Sequence, residues 1–334
     1  MDKWKKAVVH LECATDSEHF YDRIKRSESL TKDLNEGNIT LQQFAKATSG
    51  GSRDLRQHGT AIFLLHDEKH YLITARHVLC DEDSGEREYL EEFDRSQRMP
   101  EHMESDLLES GKENSLNKIF DIIFRVPSFD EFSQSSFHRS RAFLMNLAVG
   151  VSWMAAYTFS TPELDIAVVS LSQRADLSRF ADELFTNGYK PISLNDIVEA
   201  PSCEGAEIYT VGFPSSTAIL GQINKHKAPI NWSSNDYSLP TFSFGRVSML
   251  HNDLPYLWAN MSNYPGSSGG PVIENDKLVG IVSGQPMIPI EDSEEFIYRI
   301  PFGMIIKAKF INELILEQAQ KDKDAISNRS LNPT

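Results

Sequence analysis

The chain has 334 residues, of which 40% are hydrophobic, and a formal net charge of −15 at pH 7. This length is enough for a large buried core, in one two-barrel unit or in two domains. The negative charge argues against a nucleic-acid backbone or an anionic membrane surface as a partner, because binding there depends on Lys and Arg.

The three cysteines, Cys13, Cys80 and Cys203, are too few for a disulfide framework. Residues 1–10 also lack the apolar core of a signal peptide. Both features predict a reducing, cytoplasmic location. Cys80 follows His77 closely, and we interpret it as a small buried side chain, since free cysteines are commonly buried.

Residues 7–11 alternate weakly and predict a first β-strand. The segment of about 16–56 has apolar residues near helical spacing on both sides of a break at 35–38, which predicts two helices. This first insertion either packs on the core or offers Phe20 and Tyr21 to a regulatory protein partner.

Residues 59–80 predict a hairpin whose turn lies at His66–His70. Two histidines four positions apart also match a metal-ligand spacing on a helix. Because these two flank a turn, we interpret them as solvated loop residues. The sequence predicts no metal site and no cofactor.

A second insertion, about 81–154, begins with a strongly charged stretch and continues with an apolar run at 115–126. Residues 142–162 contain no charged side chain, and a stretch of that length is sufficient to cross a bilayer. We reject a membrane span because the stretch is only moderately apolar. A span would also place a bilayer between His77 and Asp165, two candidate site residues that must meet. The stretch predicts a buried strand or helix that leads into a strand at 155–159.

The rest of the chain predicts a second barrel with a helical end. In order, the segments are a linker at 170–201 with a helical turn near 175–184, a barrel at about 203–286, a long loop beside the cleft at 214–239, a terminal helix at 303–320, and a disordered tail at 321–334.

One glycine-rich motif has the features of a nucleophile loop. It reads Gly266-Ser267-Ser268-Gly269-Gly270-Pro271. A nucleophilic serine needs an exposed hydroxyl and nearby N–H groups that stabilise an oxyanion. We predict Ser268 as the nucleophile and the N–H groups of Gly266 and Ser268 as the oxyanion donors. A simple glycine-rich turn is the alternative.

Two further motifs supply the groups that a serine nucleophile requires. His77 lies near the end of the apolar segment 72–79, and Asp165 lies near the start of the apolar segment 164–169. A histidine can act as the general base and an aspartate can orient it. The order His77, Asp165, Ser268 excludes the α/β-hydrolase elbow, in which the histidine follows the serine, because the last histidine here is His251.

With these motifs the chain resembles trypsin-like serine peptidases, closest to the Deg-type (high-temperature-requirement) protease core without a PDZ domain. The supporting segments, all in the family's order, are 59–64, 74–78, 204–214, 244–248, 277–284 and 298–303. The resemblance implies a mainly β, chymotrypsin-like fold of two six-stranded antiparallel barrels with helical insertions and a C-terminal helix. It places His77 and Asp165 in an N-terminal barrel at 1–200 and Ser268 in a C-terminal barrel at 201–320.

The resemblance also implies a serine endopeptidase that cleaves a protein or peptide substrate through an acyl-enzyme. The pocket base would be Ser262, flanked by Ser283 and Gly284, which predicts a small or medium uncharged residue at the cleavage position. Two alternatives remain open: a gated or inactive protease-fold module that binds or signals, and an esterase with the same acyl chemistry.

Overall fold

The computed structural model describes residues 1–16, 20–48, 53–96, 118–126, 141–145, 156–214, 240–290 and 293–331. Most of the loop predicted at 214–239 lies outside these ranges. So do residues 146–155 of the uncharged stretch and the final residues of the predicted tail.

The described chain is mainly β. Its strands are β1 (Val8–Asp16), β2 (Arg53–His66), β3 (Lys69–Ala75), β4 (Asp121–Val126), β5 (Arg141–Met145), β6 (Tyr157–Phe159), β7 (Ile166–Ser170), β8 (Ile192–Ser193), β9 (Glu207–Gly212), β10 (Thr241–Met249), β11 (Tyr256–Met261), β12 (Pro271–Glu274), β13 (Lys277–Gly284), β14 (Met287–Ile290), β15 (Ser293–Arg299) and β16 (Gly303–Lys307). Its α-helices are α1 (Asp2–Lys6), α2 (Phe20–Asn35), α3 (Leu41–Thr48), α4 (Arg76–Leu79), α5 (Glu82–Ser96), α6 (Ala175–Thr186) and α7 (Lys309–Leu331).

The C-terminal half forms a closed six-stranded barrel in the order β10-β11-β16-β13-β12-β9. Its interior contains Ile208, Val247, Leu257 and Val282, all nearly inaccessible to solvent. The predicted C-terminal barrel is therefore confirmed. The sequence placed a helix from residue 303, which is wrong for the strand β16, because a short apolar run fits both a strand and a helix face.

The N-terminal half is a sheet in the order β5-β4-β1-β2-β3-β7-β6, with β8 paired to β2. Within the described residues β5 and β6 do not pair with each other, so the predicted N-terminal six-stranded barrel is not seen as a closed one. The second insertion contributes β4 and β5, and β4 pairs with β1 over His10–Ala14. This insertion is therefore partly β rather than only helical.

Strand β3 shows why the central strands are apolar on both faces. Leu72 belongs to one core of the N-terminal sheet, whereas Tyr71 and Ile73 belong to a second core. That second core also contains Val211 and Ile281 of the barrel and Ile311 of α7. Since side chains alternate along a strand, β3 packs against both cores at once, and the shared core holds the two halves together.

Helix α7 is bonded to the N-terminal sheet through one buried carboxylate. Asp322, 2% exposed, accepts hydrogen bonds from four side chains. The donors are Tyr71 Oη at 3.1 Å, Ser170 Oγ at 2.9 Å, Gln173 Nε2 at 2.5 Å and Gln318 Nε2 at 3.0 Å. The sequence predicted disorder from residue 321, but the helix continues to Leu331 because this buried carboxylate anchors it.

The predicted helices of the first insertion are present as α2 and α3, and α3 buries none of its residues. The helical turn predicted near 175–184 is α6. His70 is not the solvated residue expected, because its ring packs against Phe63 and Phe185 at 5.5 and 5.1 Å. Among the described helices none combines the length and apolar composition that a membrane crossing requires.

Candidate active site

His77 lies in α4, the single helical turn that follows β3. The first N–H groups of a helix have no acceptor within the helix. Here Asp165 supplies both acceptors: its backbone oxygen receives the Arg76 N–H at 3.0 Å, and its Oδ1 receives the His77 N–H at 2.9 Å. The carboxylate therefore fixes the backbone of the histidine as well as its ring.

The imidazole of His77 is paired with the same carboxylate. Its Nδ1 lies 3.0 Å from Oδ1 and 2.8 Å from Oδ2 of Asp165. An ionised carboxylate only accepts hydrogen bonds, so this pairing favours the tautomer with the proton on Nδ1 and the lone pair on Nε2. The carboxylate is 12% exposed and the imidazole 37% exposed, so the ring is open on one side to an incoming group.

Asp165 is itself held in an uncommon conformation. Its φ of +48° lies in the left-handed region, which aspartate tolerates better than most residues. Its N–H closes a turn onto the Thr161 carbonyl at 3.1 Å, and Ser283 Oγ donates a hydrogen bond to its Oδ2. Ser283 was expected to line the substrate pocket, but its side chain points at the carboxylate and is 4% exposed.

Two positions of the Ser268 loop require glycine for steric reasons. Gly266 and Gly269 adopt φ values of +94° and +83°, which L-residues rarely reach. A Cβ on Gly269 would also lie 2.1 Å from the Thr60 oxygen and 2.2 Å from Thr74 Oγ1. Glycine at 269 therefore lets the barrel loop touch the N-terminal sheet.

Thr60 joins the two halves of the site, and sequence reasoning missed it. Its N–H donates to the Ser268 carbonyl at 2.8 Å, and its Oγ1 donates to the Gly266 carbonyl at 2.8 Å. The same Oγ1 accepts the Phe213 N–H at 3.1 Å, and Thr74 Oγ1 donates to its carbonyl at 2.7 Å. The only sequence signal was its place in the segment 59–64.

The hydroxyl of Ser268 donates to the Ser283 carbonyl at 3.0 Å. Between the two described residues Ser268 and His77, the structure has no hydrogen bond. Contacts nevertheless lead from one to the other, because Ser283 touches Ser268 through its carbonyl and Asp165 through its hydroxyl. The three predicted residues thus converge on one place, with the serine bonded to a neighbour of the pair.

The predicted oxyanion donors have no hydrogen-bond acceptor among the described residues. Within the described part of the chain, the N–H groups of Gly266 and Ser268 donate to no carbonyl or side chain, whereas those of Ser267, Gly269 and Gly270 are all bonded. Backbone N–H groups in a folded protein are seldom left unpaired. These two are therefore available to a bound anion.

The predicted pocket residues lie on either side of the Ser268 loop. Ser262 is exposed, and its carbonyl accepts a bond from Ser243 Oγ at 2.7 Å. A Cβ placed on Gly284 would meet no atom of the described residues within 4 Å, so these residues leave the space beside it open. Asn263, 4% exposed, donates its Nδ2–H to the Gly284 carbonyl at 3.0 Å and fixes that edge.

Cys80 does not compete as a nucleophile. Burial raises its pKa to about 11, so the thiol stays protonated at neutral pH. Burial also raises the pKa of Cys13. The interpretation of Cys80 as a buried side chain is confirmed, since it is 2% exposed.

The family model described as "Trypsin-like peptidase domain" matches residues 59–281, which is more than half of the chain. The chain therefore belongs to the trypsin-like peptidase domain family. A similar solved structure is that of a thermostable serine protease, AL20, from an extremophilic microorganism, with 10% identity, 95% of each chain covered and a TM-score of 0.41. No curated protein matches the chain in sequence.

Proposed function

We propose that this chain is a serine endopeptidase of the Deg type that cleaves peptide bonds through Ser268, His77 and Asp165. The main support is the His77–Asp165 pair, in which the carboxylate holds both the backbone and the ring of the histidine. The family membership and the glycine-rich Ser268 loop support the same role.

The chemistry is acyl transfer. His77 Nε2 takes the proton of Ser268 as its Oγ attacks the carbonyl carbon, and Asp165 stabilises the imidazolium that forms. The N–H groups of Gly266 and Ser268 receive the developing oxyanion, each worth about 3 kcal/mol in comparable sites. The imidazolium then protonates the leaving amine, and water releases the acyl group by the same steps.

The hydrogen bond that the Ser268 hydroxyl makes in the structure must be exchanged before this reaction. The hydroxyl must leave the Ser283 carbonyl and turn toward His77. A neutral hydrogen bond is worth only about 1 kcal/mol net, and rotamer changes are fast. The same contact favours the second candidate, a gated or inactive protease-fold module, since a serine kept in this hydrogen bond would not react.

A fluorophosphonate probe separates the two candidates, because it reacts with an activated serine and needs no known substrate. We expect labelling of the wild type and of Ser267→Ala, and none of Ser268→Ala. Ser267 is the matched control since it is the adjacent serine of the same loop. Absence of labelling in all three proteins would support the gated module instead.

We also propose specificity for a small or medium uncharged residue at the cleavage position. Ser262 brings no negative charge to the pocket base, and the space beside Gly284 is open. A peptide library cleaved by the wild type tests this. A strong preference for arginine or lysine would show that the pocket is assigned to the wrong residues.

The natural substrate is then a protein or peptide, and the first insertion is the proposed site of a regulatory protein partner. Helix α3 supports this role because it buries no residue and leaves Leu41 70% exposed. Crosslinking in cell extract, wild type against Leu41→Glu, tests the partner. Equal capture of proteins by both variants would argue against α3 as the partner site.

We also propose a cytoplasmic location, in line with three free thiols.

A further inference from the structure

Two histidines and a glutamate that are not among the predicted catalytic residues meet on one face of the N-terminal sheet. His10 and Glu12 lie on β1, and His58 lies on β2. In the ladder Glu12 is directly opposite His58, and His10 is directly opposite Thr60. Because alternate residues share a face and opposite residues are close, all three side chains project to the same side.

We propose that His10, Glu12 and His58 bind a transition-metal ion of the Zn²⁺ class. One ligand atom from each residue lies within 4.8 Å of the other two. The Nδ1 of His58 is 3.5 Å from the Nε2 of His10. Two nitrogens bound to one tetrahedral zinc ion at its usual bond length would be about 3.4 Å apart, so this edge already has the required size.

The burial of these groups also fits a cation. Glu12 is fully buried and His10 is 4% exposed. A cation bound here would lie beside a carboxylate that solvent does not reach, so water would screen the attraction between the two charges only weakly. His58 is only half-buried, so the site is open to an entering ion from that side.

The ligand set favours zinc over calcium or magnesium. Imidazole nitrogens suit Zn²⁺ and its first-row neighbours, whereas hard cations prefer oxygen ligands alone. Two histidines and one glutamate leave the fourth tetrahedral position for water. The rings of His10 and His58 are inclined by only 20°, so one ring must turn about its χ2 for both lone pairs to converge. That torsion is broad for histidine.

The site lies next to the contact between the two halves. His10 pairs with Thr60, and its ring stacks on Phe213 at 4.9 Å. Thr60 in turn holds the Gly266 and Ser268 carbonyls. A metal ion here would link β1 to β2 beside Thr60 and stabilise the strand on which the Ser268 loop rests. No motif in the sequence indicates such a site, since the three residues meet only through strand register.

Zinc binding to the full-length protein, freed of metal by a chelator, tests the proposal by titration calorimetry. We expect one zinc ion per chain in the wild type and an affinity at least roughly 100-fold lower in His58→Gln and Glu12→Gln, because each loses a ligand. His251→Gln is the matched control, since that histidine is exposed and outside the cluster. Unchanged affinity in His58→Gln, or no zinc bound by the wild type, would overturn the proposal.

The proposed catalytic histidine could also hold zinc, so His77→Gln is titrated in parallel. Zinc binding that is lost in His77→Gln and kept in His58→Gln would place the ion at His77 and overturn the proposal. If the buried Glu12→Gln variant does not fold, Co²⁺ absorption decides with His58→Gln alone. We expect the bands of tetrahedral Co²⁺ in the wild type and their loss in His58→Gln. Bands of equal intensity in both proteins would overturn it.

Discussion

The C-terminal barrel and the N-terminal sheet are stabilised in different ways. The C-terminal barrel closes on itself, so each of its six strands has a neighbour on both sides. The N-terminal sheet does not close within the described residues, and it depends on α7, the last helix of the chain, for Asp322 and its four donors. The barrel is stabilised by its own strand pairing, whereas the sheet also needs a side chain from the far end of the sequence.

The same contrast divides the candidate site. The sheet carries His77 and Asp165 already bonded to each other, and the barrel carries Ser268 bonded to Ser283. Thr60 is the sheet residue that grips the serine loop. The proposed base and its orienting carboxylate are therefore positioned within one half, while the proposed nucleophile depends on the contact between halves. Four substitutions test this division, beginning with the largest expected effect.

Asp165→Asn removes the acceptor that fixes the His77 tautomer. The amide can still cap α4 through its oxygen, so the fold should persist, but its NH₂ group favours the wrong imidazole tautomer. We expect the rate of fluorophosphonate labelling to fall by about 10⁴-fold, as for similar triads. Asp253→Asn, at an exposed carboxylate, is the control and should label like the wild type. A loss below tenfold would mean that Asp165 only supports the backbone.

Sequence reasoning could propose these three residues because a candidate nucleophile, base and orienting carboxylate each lie in a recognisable local motif. It placed the closed barrel for the same reason. It failed where the answer depends on pairing between distant strands. Met304 and Ile305 fit a helix repeat but form β16, and Thr60 looks like any strand threonine until Gly266 is seen beside it.

Asp322→Ala should destabilise the sheet more than any surface change. It leaves four donors without their carboxylate acceptor, and we expect the free energy of unfolding to fall by about 3–5 kcal/mol. Urea unfolding measures this, with Asp324→Ala as the control because that carboxylate is exposed on the same helix. Equal effects of the two substitutions would show that the sheet does not depend on the buried anchor.

Thr60→Val tests the link between the halves. The change keeps the shape of the side chain but removes the bond to the Gly266 carbonyl and the acceptor of the Phe213 N–H. We expect a loss of about 1–3 kcal/mol in stability, together with slower labelling of Ser268. Thr210→Val is a sharp control, since its buried Oγ1 has no partner among the described residues and should be neutral or stabilising. Slower labelling in Thr210→Val alone would contradict the role of Thr60.

Ser283→Ala separates the two functions of that residue. The substitution removes the hydroxyl that bonds Asp165 but keeps the carbonyl that accepts the Ser268 hydroxyl. A hydrogen bond to a charged group is worth about 1.5–3 kcal/mol, so we expect labelling to slow by roughly 10- to 150-fold. Ser248→Ala, at an exposed serine on β10, should match the wild type. Faster labelling in Ser283→Ala would mean that the Ser283 hydroxyl restrains the His77–Asp165 pair rather than supporting it. The inactive state of a gated module would then be set by this pair on the N-terminal sheet, and not by the Ser268 loop.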